Sequence, residues 1–302
     1  QDENDPALPI VEKIRAEFPE RVKIVVDTSA VGPNGRLCNI YNASRKATGE
    51  IFLFSDSDVF LPANYLRAIV APFADSQVGV SCTLYKAWRP HNIAERLELL
   101  SLNTDFIPSM VFAYVTKMTI ACPGASQAIR RSGLEEIGGL KPLADYLVED
   151  FELGRRVREK GYKIHFVPLS ISTEVNLNGF RDWWRHQVYW DHNTRAANAS
   201  GFLATVLIRA IPFAFFYWLV DGEMAIPVLV AIIFWRIYTA VFNAFFLKDP
   251  DTIRSLWLLP IRDLLAFCTW AASFMKKNIY WKGREFEIQN GRMIEISDRH
   301  RR

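Results

Sequence analysis

The sequence predicts an α/β protein with a mainly parallel sheet and flanking helices, followed by an interfacial amphipathic helix and C-terminal transmembrane helices. Three observations support this fold class. Helix-like and strand-like segments alternate between about residues 10 and 170, which is typical of a layered α/β domain. Aromatic and basic side chains share the stretch from Phe180 to Arg195. Residues 202–247 contain only four formal charges, in contrast to the charge-rich stretch before them.

Short apolar runs separated by turn residues divide the first part of the chain into elements. Ile51–Phe54 is a run of four apolar residues, typical of a strand covered on both faces. The predicted strands are Val22–Val26, Ile51–Phe54, Val78–Thr83, Ile120–Ile129, which contains Gly124, and Lys163–Val167. The predicted helices are Val11–Phe18, one after Gly35, one with Pro62 in its first turn, one over about 92–102, and one over 150–160 that ends at Gly161.

Two later segments, Phe202–Val220 and Ala225–Phe246, are long enough to span a bilayer, because about 20 residues at about 1.5 Å rise cover roughly 30 Å. A third segment, Leu256–Phe274, is apolar but contains Arg262 and Asp263. Since a charge costs about 2.5 to 3.5 kcal/mol at a helix centre on insertion scales, we expect this segment to be re-entrant or interfacial.

These patterns predict four parts. They are an α/β domain at 1–175, an amphipathic interface helix at 176–200, a membrane region at 201–275 with two spans plus one interfacial or third span, and a basic tail at 276–302. For the second part, a helix packed on the domain is the alternative. The chain opens on a polar, acidic stretch, and we expect an N-terminal strand and anchor to be missing from it.

The charge distribution predicts topology and excludes one class of partner. The tail has eight Lys or Arg and four Asp or Glu, a net +4, so the rest of the chain sums to −1. Because the positive charge is local, nucleic acid is not a predicted partner. Two spans return the tail to the side of the α/β domain, and the positive-inside tendency places both in the cytosol. Four widely spaced cysteines fit a reducing compartment. The sequence indicates no oligomeric state.

Asp56 and Asp58 directly follow the predicted strand Ile51–Phe54. Ligands of open α/β sheets bind beyond the carboxyl ends of strands, so these two carboxylates are placed to hold a divalent cation. Mg²⁺ or Mn²⁺ prefers a few carboxylates together with phosphate oxygens, as a nucleotide diphosphate provides. A solvated turn or a helix cap remains the alternative.

A second acidic pair, Glu149 and Asp150, begins the predicted helix over 150–160. Asp150 is a candidate general base that takes a proton from an acceptor hydroxyl. The helix N-terminus lowers the pKa of Asp150, whereas Glu149 and the metal-site carboxylates raise it, and the sequence leaves the outcome open. An ordinary cap is the alternative.

The Gly-, Pro- and Asn-containing loop Gly32–Gly35 leads into a helix that carries Arg36 and Asn39 in its first turns. Backbone N–H groups plus Arg36 form a candidate anion site for a diphosphate, and a plain turn is the alternative. Asp2 and Asp5 crowd the start of the chain, where a frayed terminus would give them no role.

Taken in order, these motifs resemble the ceramide glucosyltransferase family, which belongs to the inverting, metal-dependent, membrane-bound glycosyltransferases of the GT-A type. Bacterial relatives of that family include hopanoid-associated N-acetylglucosaminyltransferases. The resemblance runs over nearly the whole chain and implies a GT-A-like fold. Its motifs are the Gln-Asp-x-x-Asp-Pro-Ala opening, Gly32–Asn39, Ser55–Asp58, the run Ala-Asp-Tyr-Leu-x-Glu-Asp at 144–150, an aromatic helix ending in Trp190, and Trp281–Arg284.

The resemblance implies roles by position. Asp2, with Asp5 near it, would lie by the nucleotide base. Asp56 and Asp58 would bind the metal ion and the sugar nucleotide, and Asp150 would be the base.

The last family motif is Gln or Arg, two residues, then Arg-Trp. The aligned stretch here runs from His186 to Trp190, and Tyr189 replaces the family arginine. The resemblance places His186 and Trp190 near the nucleotide sugar. Arg185, His186 or Arg195 then becomes the candidate that neutralises the leaving diphosphate.

The implied function is transfer of a hexose from a nucleotide sugar, UDP-glucose above all, to the primary hydroxyl of a lipid such as ceramide. Alternatives of the same fold use a hopanoid or polyprenyl phosphate acceptor, or synthesise a polysaccharide. The broken motif and about two spans argue against the synthase. A catalytically silent membrane protein that binds nucleotide or lipid is the alternative from another class.

Overall fold

The computed structural model describes residues 5–118, 121–275, 278–281 and 284–296. A five-stranded sheet forms the centre of the N-terminal part, in the order β1-β4-β3-β5-β2. Its strands are β1 (Ile51–Ser55), β2 (Val59–Phe60), β3 (Val78–Trp88), β4 (Ser126–Arg130) and β5 (Lys163–Glu174). The strands β1, β3, β4 and β5 coincide with sequence predictions, although β3 and β5 are longer and β4 is shorter than predicted.

The sheet is mixed. The longest pairing, β3 with β5, is parallel and runs from Val78 opposite Lys163 to Trp88 opposite Glu174. The shorter pairings β1–β4, β3–β4 and β2–β5 are antiparallel. The predicted parallel arrangement therefore holds for the central pair, while β4 runs against both of its neighbours.

The predicted strand Val22–Val26 is wrong, because the described chain there has no ladder partner and forms no strand. A side chain holds the continuation of this segment instead. Asn42 Nδ2 donates to the carbonyl oxygens of Asp27 at 3.3 Å and Ser29 at 3.0 Å. Alternating apolar residues alone do not make a strand when no neighbouring strand is available for its N–H and C=O groups.

Helices cover both faces of the sheet. The helices of this part are α1 (Leu8–Glu17), α2 (Gly35–Ser44), α3 (Tyr65–Val70), α4 (Ile93–Ser101), α5 (Ile107–Val115), α6 (Arg131–Glu136) and α7 (Glu149–Glu159), with a π-helix at Leu102–Phe106 between α4 and α5. On one face, Leu37 of α2 and Leu153 of α7 pack with Phe54 of β1. On the other face, Ile69 of α3 packs with Ile171 of β5. These two cores fix the strand ends from which the site side chains project.

The C-terminal part is helical. Its helices are α8 (Phe180–Ala197), α9 (Ala199–Ala204), α10 (Ala210–Asp221), α11 (Ile226–Leu247), α12 (Pro250–Ser255) and α13 (Leu259–Ala272). Trp183 of α8 is fully buried with Leu97 of α4, Ala240 of α11 and Leu259 of α13. Phe180 and Trp190 of α8 remain exposed. The helix predicted for the membrane surface is therefore packed on the domain through Trp183, with exposed aromatic residues elsewhere.

One helical stretch among the described residues, Ala210–Leu247, is long and apolar enough to cross a membrane by length and composition. It comprises α10 and α11, joined by a short 3-10 turn in which Gly222 has a φ of 52°. The 22 residues of α11 rise about 33 Å, which fits the second predicted span.

The first predicted span, Phe202–Val220, is not one helix. It is divided among α9, a 3-10 turn at Thr205–Ile208 and α10, whose 12 residues rise only about 18 Å. The break falls at Arg209, which lines a cavity inside the protein. A partly buried charged side chain, with its Nε atom buried, interrupts the apolar run at that point.

The third apolar segment contains α13, which packs on α4 and α8. Its Arg262 is 3% exposed and donates to both Asp105 of the π-helix and Asp263. The charges that argued against a span are therefore paired within the protein.

The described part of the basic tail forms an antiparallel sheet of β6 (Asn278–Trp281), β7 (Arg284–Gln289) and β8 (Arg292–Glu295). Phe286 of this sheet is fully buried with Leu147, and Tyr189 packs against the same cluster. Leu147 N also donates to the carbonyl oxygen of Gly291 at 3.0 Å. The tail thus supports the segment that precedes Glu149 and Asp150.

Candidate functional site

One guanidinium joins three distant parts of the chain. Arg36 Nε donates to Asp56 Oδ1 at 2.8 Å, Nη1 to Glu149 Oε1 at 2.5 Å and Nη2 to the Gly124 carbonyl oxygen at 2.5 Å. These partners lie after β1, before β4 and at the start of α7. We call Arg36, Asp56, Gly124 and Glu149 the Arg36 cluster. The planar fork of an arginine suits this task because it presents donors in several fixed directions.

Asn34 positions Glu149 within the Arg36 cluster. Its side chain accepts the N–H of Leu37 and so caps α2. The same side chain donates to Glu149 Oε2 and to the Tyr146 carbonyl oxygen, each at 2.9 Å. Both oxygens of Glu149 are therefore bonded, one by Arg36 and one by Asn34. Sequence analysis did not select Asn34 or Glu149 as site residues, although an asparagine directly before a helix is a recognisable cap.

Asp150 lies beside the Arg36 cluster. The Phe151 N–H donates to its Oδ1 at 2.7 Å. A Cβ at Gly124 would come within 3.0 Å of Asp150 Oδ2, so the carboxyl group approaches the backbone where glycine leaves room. Burial raises the pKa of Asp150 to about 7, and the charge of Glu149 adds to this rise against the lowering by Arg36. The sequence left open whether the pKa of Asp150 is lowered by the helix N-terminus or raised by nearby carboxylates. In the structure it is raised, and burial is the main cause.

Asp56 and Asp58 lie together at the turn between β1 and β2. Burial raises the pKa of Asp56, and Arg36 opposes this rise. The negative charge of Asp58 also raises the pKa of Asp56. Asp56 Oδ1 is bonded to Arg36, and Asp58 is exposed. Across the described residues, no three His, Cys, Asp or Glu side chains are grouped closely enough to hold a metal ion. Two carboxylates of this kind fit an open Mg²⁺ or Mn²⁺ site whose remaining ligands are phosphate oxygens and water.

Of the remaining N-terminal predictions, Asp5 and Asn39 are described, and neither contacts the Arg36 cluster in the hydrogen bonds of the described residues. Asp2 lies outside the described residues. Asp5 Oδ1 accepts the N–H of Ala7 at 2.9 Å before α1. Asn39 is exposed on α2, and the asparagine that enters the cluster is Asn34. The nucleotide contacts expected for Asp2, Asp5 and Asn39 stay predictions.

His186 and Trp190 lie near the carboxylate of Glu98, outside the Arg36 cluster. Trp190 Nε1 donates to His186 Nε2 at 2.9 Å, and His186 Nδ1 lies 3.4 Å from Oε1 of Glu98. Gln187 Nε2 donates to the second oxygen of Glu98 at 2.5 Å. Glu98 itself is 2% exposed. These side chains of α8 are therefore organised by α4 rather than by the Arg36 cluster.

The replaced family arginine has no substitute at the Arg36 cluster among the described contacts. Tyr189 packs toward the tail sheet, with Leu147 and Ile279. Arg185 is exposed. The Arg195 guanidinium lies 5.2 Å from the ring centre of Phe274. In the structure, the guanidinium beside Asp56 and Glu149 is that of Arg36, and His186 lies by Glu98.

A cavity of about 230 Å³ lies between the π-helix, α8 and α13. Tyr85 of β3 is in its wall, as is Trp190. Burial raises the pKa of Tyr85, and the next largest causes are the negative charges of Asp150 and then Glu98. Tyr85 lines this cavity together with Gln187, Trp190 and Asp191 of α8. The cavity is not predictable from local sequence patterns, because its walls come from helices far apart in the chain.

Comparison with known proteins connects this arrangement to a family. Ceramide glucosyltransferase 3 of Caenorhabditis elegans is 23% identical over 309 residues, covering 96% of this chain and 65% of the relative. The probable glycosyltransferase YdaM of Bacillus subtilis is 43% identical over 68 residues, 22% of this chain and 16% of the relative. The pre-mycofactocin glycosyltransferase of Mycobacterium tuberculosis is 23% identical over 151 residues, which cover 47% of this chain and 30% of the relative. Each alignment covers less than two thirds of the relative's length.

The family model described as glycosyl transferase family 21 matches residues 1–294, which include the acidic motifs, α8 and most of the tail. The resemblance predicted from the sequence motifs is confirmed by this match and by the ceramide glucosyltransferases among the relatives. With a family model that extends over almost its entire length, the chain belongs to glycosyl transferase family 21.

Proposed function

We propose that this chain transfers a hexose, glucose from UDP-glucose, to a hydroxyl group of a membrane lipid such as ceramide, with inversion at the anomeric carbon. The observation that carries the proposal is Asp150, a carboxyl group of pKa about 7 placed beside the Arg36 cluster. Family membership and the ceramide glucosyltransferases among the relatives support the reaction and the acceptor class.

The Arg36 cluster is the proposed donor site within a GT-A-like domain. Its position beyond the end of β1 matches the edge at which α/β sheets bind nucleotides. Asp56 and Asp58 would hold Mg²⁺ or Mn²⁺, and such an ion supplies positive charge that stabilises the departing diphosphate. Arg36 contributes a fixed cation at the same place, which orients the diphosphate oxygens.

Asp150 is the proposed general base. Its carboxylate accepts the proton of the acceptor hydroxyl while the hydroxyl oxygen forms a bond to the anomeric carbon. The bond from that carbon to the diphosphate breaks in the same displacement, and UDP leaves with the electron pair. A single displacement inverts the configuration. A pKa near 7 suits this role because the group is then both ionised and basic at neutral pH.

The membrane supplies the acceptor in this proposal. We place α10 and α11 in the bilayer as a hairpin that turns at Gly222, so that the catalytic domain and the tail stay on the same, cytosolic side. The described part of α5 adds a further apolar surface, because Val111, Phe112 and Val115 are all exposed on it. A water-soluble donor and a membrane-held lipid then meet beside α8.

The test is UDP release from UDP-glucose by the full chain with Mn²⁺, with and without ceramide. Asp150→Asn should reduce transfer by about 10²- to 10⁴-fold and leave UDP binding nearly unchanged. Glu159→Gln, at the exposed end of the same helix, is the matched control and should transfer normally. Substantial turnover by Asp150→Asn contradicts its role as base. Metal-dependent UDP binding without turnover on ceramide, a hopanoid or polyprenyl phosphate favours a silent binding protein.

A further inference from the structure

The C-terminal tail contacts the segment that leads into α7, and the proposed chemistry does not use this contact. Tyr146 and Arg292 face each other in an isolated antiparallel bridge. Beside this bridge, the Leu147 N–H donates to the carbonyl oxygen of Gly291 at 3.0 Å. Phe286 is fully buried in the same cluster as Leu147. Backbone bonds and core packing therefore join the tail to the residues that come directly before the first turn of α7.

The tail presents a tight turn at this contact. The strands β7 and β8 are joined by Asn290 and Gly291, whose φ angles are 51° and 79°. Positive φ at both positions is typical of the type I′ turn of a hairpin, and Asn-Gly is a preferred sequence for it. A Cβ at Gly291 would lie 3.5 Å from Tyr146 Cδ1 and 3.7 Å from the Ala196 carbonyl oxygen. The turn is therefore packed closely against Tyr146 and the end of α8.

Two guanidinium groups lie close to the Tyr146 ring. That of Arg292 is 5.3 Å from the ring centre, and that of Arg156 on α7 is 5.8 Å from it. Arg292 Nε also donates to Tyr146 Oη at 3.3 Å. A guanidinium within about 6 Å of an aromatic ring centre is attracted to the negative face of the ring. The Tyr146 side chain therefore contacts the tail and α7 at the same time.

The backbone of Tyr146 is connected to the Arg36 cluster. Asn34 Nδ2 donates to the Tyr146 carbonyl oxygen and to Glu149 Oε2, each at 2.9 Å. Within the described part of the chain, Val148 at the N-cap of α7 makes no side-chain capping bond. Because the first N–H groups of a helix lack partners inside the helix, an uncapped start depends on contacts from outside. Here those contacts come from Asn34 and from the tail, and both meet at Tyr146.

We propose that Arg292 is a positioning residue for the acid pair Glu149 and Asp150, acting through Tyr146, and that the tail hairpin is thereby part of the catalytic unit. This inference rests on the proposed function and deepens it by extending the support of the base to the tail. Arg292 is exposed, and its side chain donates to Tyr146 rather than to a member of the Arg36 cluster. Loss of its contacts releases the Tyr146 ring, and the bonds of Asn34 carry the displacement to Glu149.

The experiment compares hexose transfer by the full chain and by Arg292→Ala in nanodiscs with Mn²⁺. Arg292→Ala should lower kcat about tenfold, because a small displacement of a catalytic group is costly. KM for UDP-glucose should be nearly unchanged, since Arg36 retains its bonds to Asp56 and Gly124. The acid limb of the kcat/KM profile should move to lower pH by about one unit, because a less buried carboxyl group has a lower pKa. Arg292→Lys keeps a cation near the ring and should recover about half of the lost rate.

Arg284→Ala is the matched control, because it removes an exposed arginine of the same sheet. The Arg284 guanidinium lies 5.5 Å from the ring centre of Phe286 and pairs with Glu295 at 3.5 Å, so this variant loses similar contacts away from Tyr146. It should retain the kcat and the pH profile of the wild type. Equal losses in both variants, or a fall in kcat for Arg292→Ala without the shift of the acid limb, overturn the positioning role. Wild-type kinetics of Arg292→Ala overturn it as well.

A second measurement needs no transfer and so separates this inference from the proposed function. Asp150→Asn removes one titrating group, so the pH dependence of its Tm relative to its parent reports on Asp150. In the Arg292→Ala background this dependence should be smaller by about one third, whereas in the Arg284→Ala background it should be unchanged. If the wild-type chain transfers no hexose, the proposed function fails, and this series alone decides the role of Arg292. Equal pH dependence in the wild-type and Arg292→Ala backgrounds overturns the inference.

Discussion

Replacing Asp150 by Asn should stabilise the protein at alkaline pH. The pKa of this carboxyl group is raised from 3.8 to about 7, chiefly by burial. A group whose pKa is higher in the folded state than in the unfolded state stabilises fully below the unfolded pKa, and that stability is lost as pH rises through the folded pKa. For Asp150 the loss occurs between about pH 4 and pH 7. An asparagine has no such titration.

The size of the effect follows from the shift. At about 1.36 kcal/mol for each pH unit, a rise of roughly three units corresponds to about 4 kcal/mol. The side chain retains some solvent contact, so about half of that, ~2 kcal/mol, is the expected gain of Asp150→Asn at pH 8 relative to pH 4. For a chain of 302 residues the gain corresponds to roughly 3 °C in Tm.

Differential scanning fluorimetry of both proteins in the same detergent, from pH 4 to pH 8, measures this difference. The Tm of Asp150→Asn minus that of the wild type should increase with pH and level off above about pH 7. Asp75→Asn is the control of opposite sign. The Gln77 N–H lowers the pKa of Asp75, so ionised Asp75 favours the folded state and its loss should not raise the Tm at pH 8. A Tm difference for Asp150→Asn that does not change with pH would refute the argument that burial raises this pKa.

Three further predictions concern the same site. The kcat/KM for transfer should fall about tenfold per unit as pH drops below about 7, because protonated Asp150 accepts no proton; initial rates that stay level down to pH 5.5 contradict this. Gly124→Ala should lower kcat about tenfold with unchanged UDP affinity, because its Cβ would come within 3.0 Å of Asp150 Oδ2. Gly133→Ala is the control, since nothing lies within 4 Å of a Cβ there, and equal losses in both variants would disprove the steric cause. Arg36→Lys should lower the stability by about 2 kcal/mol in thermal unfolding, because one ammonium group cannot replace three directed bonds, whereas Arg158→Lys on the exposed side of α7 should leave the Tm unchanged.

Local patterns predicted the elements of the site well. The apolar run before Asp56 is β1, and the acidic start before Phe151 is the first turn of α7. Each of these depends on neighbours within a few residues, namely hydrophobic continuity and helix capping. The order of the acidic motifs along the chain then indicated the family, and the family model that matches residues 1–294 confirms it.

The missed features depend on contacts between distant parts of the chain. Arg36 meets Glu149 and Gly124, which are 113 and 88 residues away in sequence. The local pattern identifies Asn34 only as a cap of α2, because its bonds to Tyr146 and Glu149 form only when the loop before α2 packs on the residues around the start of α7. Contacts between distant parts of the chain also explain why the first predicted span, Phe202–Val220, is divided among α9, a 3-10 turn and α10. Arg209 interrupts an apolar run, and the acidic cavity that accommodates it is built from α4, α8 and α13.

The two groups of acidic residues have different environments, and this difference separates their proposed tasks. The positively charged Arg36 forms ion pairs with both Asp56 and Glu149. Asp150 receives the same charge at longer range, but burial and Glu149 outweigh it, so its carboxyl group becomes the basic member of the pair that begins α7. Adjacent residues on one helix turn are thus divided between a structural carboxylate and a proton acceptor. An ordinary cap, the alternative interpretation for this pair, would keep Asp150 exposed with a low pKa, and the packing of Gly124 against its carboxyl group argues against that arrangement.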